Sequence, residues 1–135
     1  MSGLTLRVIT PDCIALDEQA DAVRLPGVDG SIGILPRHAH MVAALDAGEL
    51  IYRTAAGEKS LFVAGGFAEV RDGTVRVVSQ AGELPEAIDE ERAKAAEQRA
   101  RERIAVRGGD GIDILRATAS LRRALMRMLV KQRKY

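Results

Sequence analysis

Arginines at helical spacing are the residues of this 135-residue sequence best suited to chemistry. Arg92, Arg99 and Arg103 line up beside Asp89, and the surrounding residues 86–106 contain no Gly or Pro and are rich in Ala, Glu, Arg and Lys, strong helix formers. Farther on, at about 100° per residue, Arg116, Arg123, Arg127 and Lys134 make a second stripe, opposite an apolar face of Ile114, Leu121, Leu125 and Met128. A guanidinium stays charged and offers a planar fork of donors, so such stripes can hold an anion or pair with an acidic surface. The seam available to the first helix is Ala93, Ala96, Ala100 and Ile104, mostly methyl groups, each giving only about 0.8 kcal/mol on burial. Weakly packed basic helices imply an element that moves or is clamped by an anion; two plainly solvated helices are the alternative.

Other chemistry is poorly served. The glycines of Pro26-Gly27-Val28-Asp29-Gly30-Ser31-Ile32-Gly33-Ile34 lack the Lys-Ser/Thr and the following helix of a phosphate loop, and read as a tight turn between strands. His38 and His40 would share one side of a strand, but no third ligand stands nearby, so no metal is expected. The single Cys13 excludes an internal disulfide and reads as a small apolar strand residue. No nucleophile–base pair is recognisable, which argues against an enzyme.

Composition narrows the class. Hydrophobic residues make up 47% and charged residues 29%, a globular balance. Aromatics at 3% are too few to build stacking platforms for single-stranded nucleic acid. The longest apolar run, residues 61–68, is far shorter than the roughly 20 residues that span a bilayer. The opening MSGLTLRVITPD lacks a signal-peptide layout, and a soluble protein of a reducing compartment is the resulting expectation.

The net charge of +1 hides an asymmetry: residues 1–85 sum to −4 and residues 86–135 to +5. From Ile114 onward there are seven basic residues and no acidic one, while all four Pro and ten of the thirteen Gly lie before residue 86. This predicts two domains, 1–85 and 86–135. Period-two alternation at Leu4-Thr5-Leu6-Arg7-Val8, Ala22-Val23-Arg24-Leu25 and Thr74-Val75-Arg76-Val77, with apolar runs at 60–64 and 67–70, predicts short strands in a sandwich or barrel. Asp72-Gly73 between two such runs predicts a tight hairpin. Beyond Pro85 come two helices joined at Gly108-Gly109-Asp110-Gly111, an antiparallel hairpin, the second starting near Ile112 with Asp110 or Asp113 as cap.

Three ordered motifs now carry a resemblance: Asp29-Gly30-Ser31-Ile32-Gly33-Ile34-Leu35-Pro36 followed by His38-Ala39, then Gly65-Gly66-Phe67-Ala68-Glu69-Val70, then Ile88-Asp89-Glu90-Glu91-Arg92-Ala93. With the opening Leu6-Arg7-Val8-Ile9-Thr10-Pro11-Asp12, the whole chain resembles the epsilon subunits of F-type ATP synthases. That family usually has Gly where Arg37 stands, Pro where His40 stands and often Glu where Ser31 stands.

The resemblance implies a mainly β plus α chain: a flattened ten-stranded β-sandwich followed by a two-helix antiparallel hairpin. It implies a non-catalytic rotor subunit, part of the central stalk, that couples ion-driven rotation of the c-ring to ATP synthesis in the alpha/beta hexamer. Its partners would be subunit gamma, the c-ring and that hexamer, with Asp29, Ser31 and His38 as candidate contacts to gamma and the ring. Its place would be peripheral, on the cytoplasmic side of a bacterial plasma membrane, reached only through the complex. The hairpin would act as a brake on ATP hydrolysis, with Arg116, Arg123, Arg127 and Lys134 facing an acidic loop of beta. Some members bind a regulatory ATP through an Ile/Leu-Asp-x-x-Arg-Ala motif, and the matching residues are Glu83, Ile88, Asp89, Arg92, Ala93, Arg99, Arg123 and Arg127. No other cofactor is implied. Against this, Asp89 could simply cap or pair locally within its helix. A basic-helix module binding nucleic acid or a membrane surface is the competing class of function.

Overall fold

The computed structural model describes residues 3–106 and 111–133. Eight strands come first: β1 (Leu4–Ile9), β2 (Ile14–Ala20), β3 (Ala22–Gly27), β4 (Gly30–Ile34), β5 (Met41–Thr54), β6 (Gly57–Arg71), β7 (Thr74–Val78) and the two-residue β8 (Gly82–Glu83). A 3-10 turn at Pro85–Ala87 leads to helices α1 (Glu90–Ala105) and α2 (Gly111–Gln132). The strands form one sheet in the order β2-β1-β7-β6-β5-β3-β4, with β8 added to β6. All pairings are antiparallel except β1 with β7.

The sandwich-like fold plus a helical pair matches the expected class, with eight strands rather than ten. Part of the difference has a local cause. The apolar runs at 60–64 and 67–70, which read as separate strands, belong to one 15-residue strand bent at Gly65-Gly66. Before the bend Leu61 and Val63 face the main core; after it Ala68 and Val70 do, so the inward parity switches. Both glycines have positive φ, 101° and 97°, and a Cβ on Gly66 would run into the Val78 carbonyl oxygen. The partner strand β5 switches at the same level: Leu45 and then Leu50 and Tyr52 face the main core. The flip turns Ala47 and Phe62 outward into a second, smaller core with Ile88 and Val130 of the helical segment. That patch is where α2 sits.

The Asp72-Gly73 hairpin is present, with φ of 49° and 78°, the pair of positive values a type I′ turn requires. Helix α1 starts four residues later than expected because Asp89 is its N-cap, its side chain accepting from the Arg92 backbone N–H at 3.0 Å. The helix seam is made of Ala93 and Ala100 against Ala117 and Ala124, all 3% exposed or less. The α2 face expected to be buried is instead only partly covered: Leu121, Leu125 and Met128 are half-buried and Ile114 is exposed. Small residues let the two helices approach closely, and the larger side chains are pushed to the flanks of the seam. Of the turn expected at 108–111, residues 108–110 and with them the Asp110 cap lie outside the described residues, whereas Gly111 already opens α2 and Asp113 lies inside its first turn.

Candidate functional site

The strongest assembly of charged groups lies where α1, α2 and β8 meet. A cleft of about 360 Å³ is lined by Glu83, Ala87, Asp89, Arg92, Ala93, Ala96, Arg99 and Arg127. Its volume falls within the range of small-molecule sites, about 300–1,000 Å³. Each wall follows from local sequence. Arg92 and Arg99 are seven residues apart on α1 and so project from one face, with the methyl groups of Ala93 and Ala96 between them. Both arginines are exposed and make no ion pair among the described residues. Asp89 spends one oxygen on the helix cap.

Arg127 is held rather than free. Its Nε and Nη2 donate to the two Glu83 oxygens at 3.0–3.3 Å, and its guanidinium lies 4.5 Å above the ring of Phe62. Phe62 is fully buried, so this stack closes the second core as well as one end of the cleft. Near the same end, Gln132 of α2 donates to Glu90 of α1 at 3.1 Å; that bond, with the Lys94 charge, holds the Glu90 carboxyl below its usual range.

Of the eight residues matched to the ATP motif, six line this cleft: Glu83, Asp89, Arg92, Ala93, Arg99 and Arg127. Ile88 does not; it is 3% exposed and packs in the second core. Arg123 does not either, since its Nη2 donates to Ser120 Oγ at 3.0 Å. The expected solvent-facing stripe is therefore split. Arg116 is exposed, Arg123 is bound locally, Arg127 faces the sandwich, and Lys134 lies outside the described residues. Arg127 turns inward because the fully buried Val130 anchors that side of α2 to the sheet.

Sequence reasoning missed further anchors. Arg122 Nε donates to the Ala47 carbonyl at 2.8 Å and lies 3.3 Å from Asp46. Arg133 pairs with Glu49 at 3.1 Å, and Lys131 donates to the Pro85 carbonyl at 3.0 Å. The opposite charges of residues 1–85 and 86–135 were the available signal.

Beside the sheet's β4 edge, Asp29 sits exposed in the β3–β4 turn and Ser31 exposed at the start of β4, while His38 lies half-buried in the following loop with Nδ1 2.7 Å from the Ala39 carbonyl. No hydrogen bond joins His38 to the other two. Beside that turn Val28, Val42 and Phe67 are 45–70% exposed; Val28 bonds to Ala44, which stands opposite Phe67. A larger groove of about 500 Å³ beside β3 and β5 contains Arg24, Arg53 and Arg133, but Glu58 and Glu49 engage the last two. Among the described residues no group of three His, Cys, Asp or Glu could hold a metal, and no helix is long and apolar enough to cross a membrane.

Comparison with known proteins bears on these features. Residues 3–85 match the ATP synthase Delta/Epsilon chain beta-sandwich domain, and residues 86–132 match its long alpha-helix domain. The ATP synthase epsilon chain of Nitratidesulfovibrio vulgaris is 43% identical over 129 residues, covering 96% of both chains. That of Symbiobacterium thermophilum is 46% identical over 95% of this chain and 92% of its own. That of Halalkalibacterium halodurans is 40% identical over 98% of this chain and all of its own. Among solved structures, a chain in the Euglena gracilis mitochondrial ATP synthase, an OSCP/F1/c-ring assembly, superposes with a TM-score of 0.79 at 24% identity, covering 93% of this chain and 79% of that one. Family match and relatives agree along nearly the whole length: the chain belongs to the ATP synthase delta/epsilon-chain family, as an epsilon-type, non-catalytic subunit.

Proposed function

We propose that this protein is a central-stalk subunit that couples c-ring rotation to ATP synthesis in the alpha/beta hexamer, that its helical hairpin restrains ATP hydrolysis, and that ATP bound in the hairpin cleft favours the folded-down form. The observation that carries the regulatory part is the cleft itself: two unpaired arginines on α1 face a third, clamped arginine on α2. A polyphosphate placed there gains charge-assisted bonds from Arg92 and Arg99 and relieves their mutual repulsion. The free oxygen of Asp89 supplies an acceptor for the nucleoside, and Ala87, Ala93 and Ala96 supply an apolar wall. Because the cleft has walls from both helices and from β8, an occupant stabilises only the compact arrangement.

The rotor part rests on the family and on the exposed Val28, Val42 and Phe67 beside the Asp29–Ser31 turn. Exposed apolar side chains of this size, gathered on a sheet face, suit burial against gamma, with the turn and His38 directed to gamma and the ring. The complex would hold the subunit at the membrane peripherally, on the cytoplasmic side.

ATP binding is tested by thermal unfolding of the isolated full chain. A ligand selective for the folded form stabilises by mass action, about 2.7 kcal/mol at a hundredfold excess over Kd. ATP should raise Tm, and Arg92→Ala should remove most of that rise while leaving the apo Tm nearly unchanged. Equal shifts in both proteins, or none at millimolar ATP, would reduce Asp89 and Arg92 to helix capping.

A further inference from the structure

We propose that Asp46, Glu49 and Glu83 form a built-in docking strip for Arg122 and Arg127 of α2 and for Arg133 just beyond its end, which holds the hairpin down and, through Arg127, competes with any acidic partner surface that this arginine would meet on release. The competition clause rests on the brake proposed above; the strip itself does not.

The strip is a product of register. Glu49 on β5 stands opposite Phe62 on β6, and Phe62 stands opposite Glu83 on β8. Three neighbouring strands thus present carboxylate, aromatic ring and carboxylate side by side on the face beneath α2. Arg127 fills this row from above, bidentate to Glu83 and stacked over the ring. Arg133 takes Glu49, whose side chain is only 6% exposed, and Arg122 takes Asp46 three residues earlier on β5. Arg116 and Arg123 reach none of the three carboxylates. Helix α1 contributes no arginine to the row. The strip therefore reads the two flanks of the docked face of α2, on either side of the buried Val130, not basic charge in general.

It also accounts for the charge asymmetry. The −4 of residues 1–85 and the +5 of residues 86–135 meet across this contact. Two of the three pairs join side chains that are all between 28% and 48% exposed, so salt screens them and each alone is weak. Together they bias docking by about tenfold, strong enough to favour the folded hairpin and weak enough for a competing acidic surface to overcome.

The test uses hydrogen exchange on the intact chain and ATP hydrolysis by the assembled enzyme. In the unmodified protein, raising NaCl from low to high concentration should speed exchange of α2 amides about tenfold while leaving β1 and β7 unchanged. In the isosteric triple variant Asp46→Asn, Glu49→Gln, Glu83→Gln, α2 should already exchange about tenfold faster at low salt and should no longer respond to added salt. Assembled with this variant, the enzyme should hydrolyse ATP more slowly. Loosened α2 with unchanged hydrolysis supports the strip and overturns the brake. Salt-independent exchange of α2 in the unmodified chain, a measurement that needs no substitution, overturns the strip.

Discussion

Arg127 joins three roles in one guanidinium: it pairs with Glu83, covers Phe62 and lines the cleft. Arg127→Ala should lower the unfolding free energy by about 1–3 kcal/mol, because it removes a charge-assisted fork and uncovers a buried ring. Arg123→Ala, which loses only a bond to Ser120, should stay within about 0.5 kcal/mol. Urea unfolding of the two variants side by side checks the ranking. Tyr52 offers a pH signature: burial, then the charges of Glu18 and Glu86, push its phenol up from 10.0 to about 12. The fold thus favours the protonated ring, so its contribution is complete below pH 10 and is lost as pH climbs toward 12. Tm measured across that window should fall, and should fall less in Tyr52→Phe. The exposed arginines of the cleft were legible in the sequence because helical spacing alone places them together. The Arg127–Phe62 stack was not, because a strand residue and a helix residue 65 positions apart meet only through tertiary packing.

At the scale of elements, glycine and its substitutes decide where strands bend. Gly66→Ala should cost more than about 3 kcal/mol, combining a positive φ with a clash against the Val78 carbonyl, and loss of soluble folded protein on expression is the expected readout. Arg37 offers the converse. It has a φ of 69° in a turn closed by the bond from His38 N–H to the Leu35 carbonyl, with Pro36 before it. That is the third position of a type II turn, where glycine is preferred. Arg37→Gly should therefore raise stability by about 0.5–1 kcal/mol, detectable as a higher Tm. Alternation revealed β1, β3 and β7, whose inner faces are regular. It divided β6 in two, because a parity switch at Gly65-Gly66 looks in the sequence like the end of one strand and the start of another. Asp89 was visible both as a cap and as a ligand, and its two oxygens allow both.

For the whole molecule, the division of charge and of glycine near residue 85 announced two kinds of structure and left open what joins them. The tail's basic residues invited an external acidic partner; inside the folded chain Asp46, Glu49 and Glu83 already answer three of them. On the brake proposed above, hairpin release would exchange the Glu83 carboxylate held by Arg127 for one of the partner's, and it would also open the second core of Phe62, Ile88 and Val130. The most direct check of this account is the rate of ATP hydrolysis by the assembled enzyme with the full chain and with residues 86–135 deleted, under conditions that favour the extended hairpin. The account predicts a higher rate in the deletion, with Arg116→Ala, Arg123→Ala and Arg127→Ala together giving part of the same rise. An unchanged rate in the deletion would contradict it.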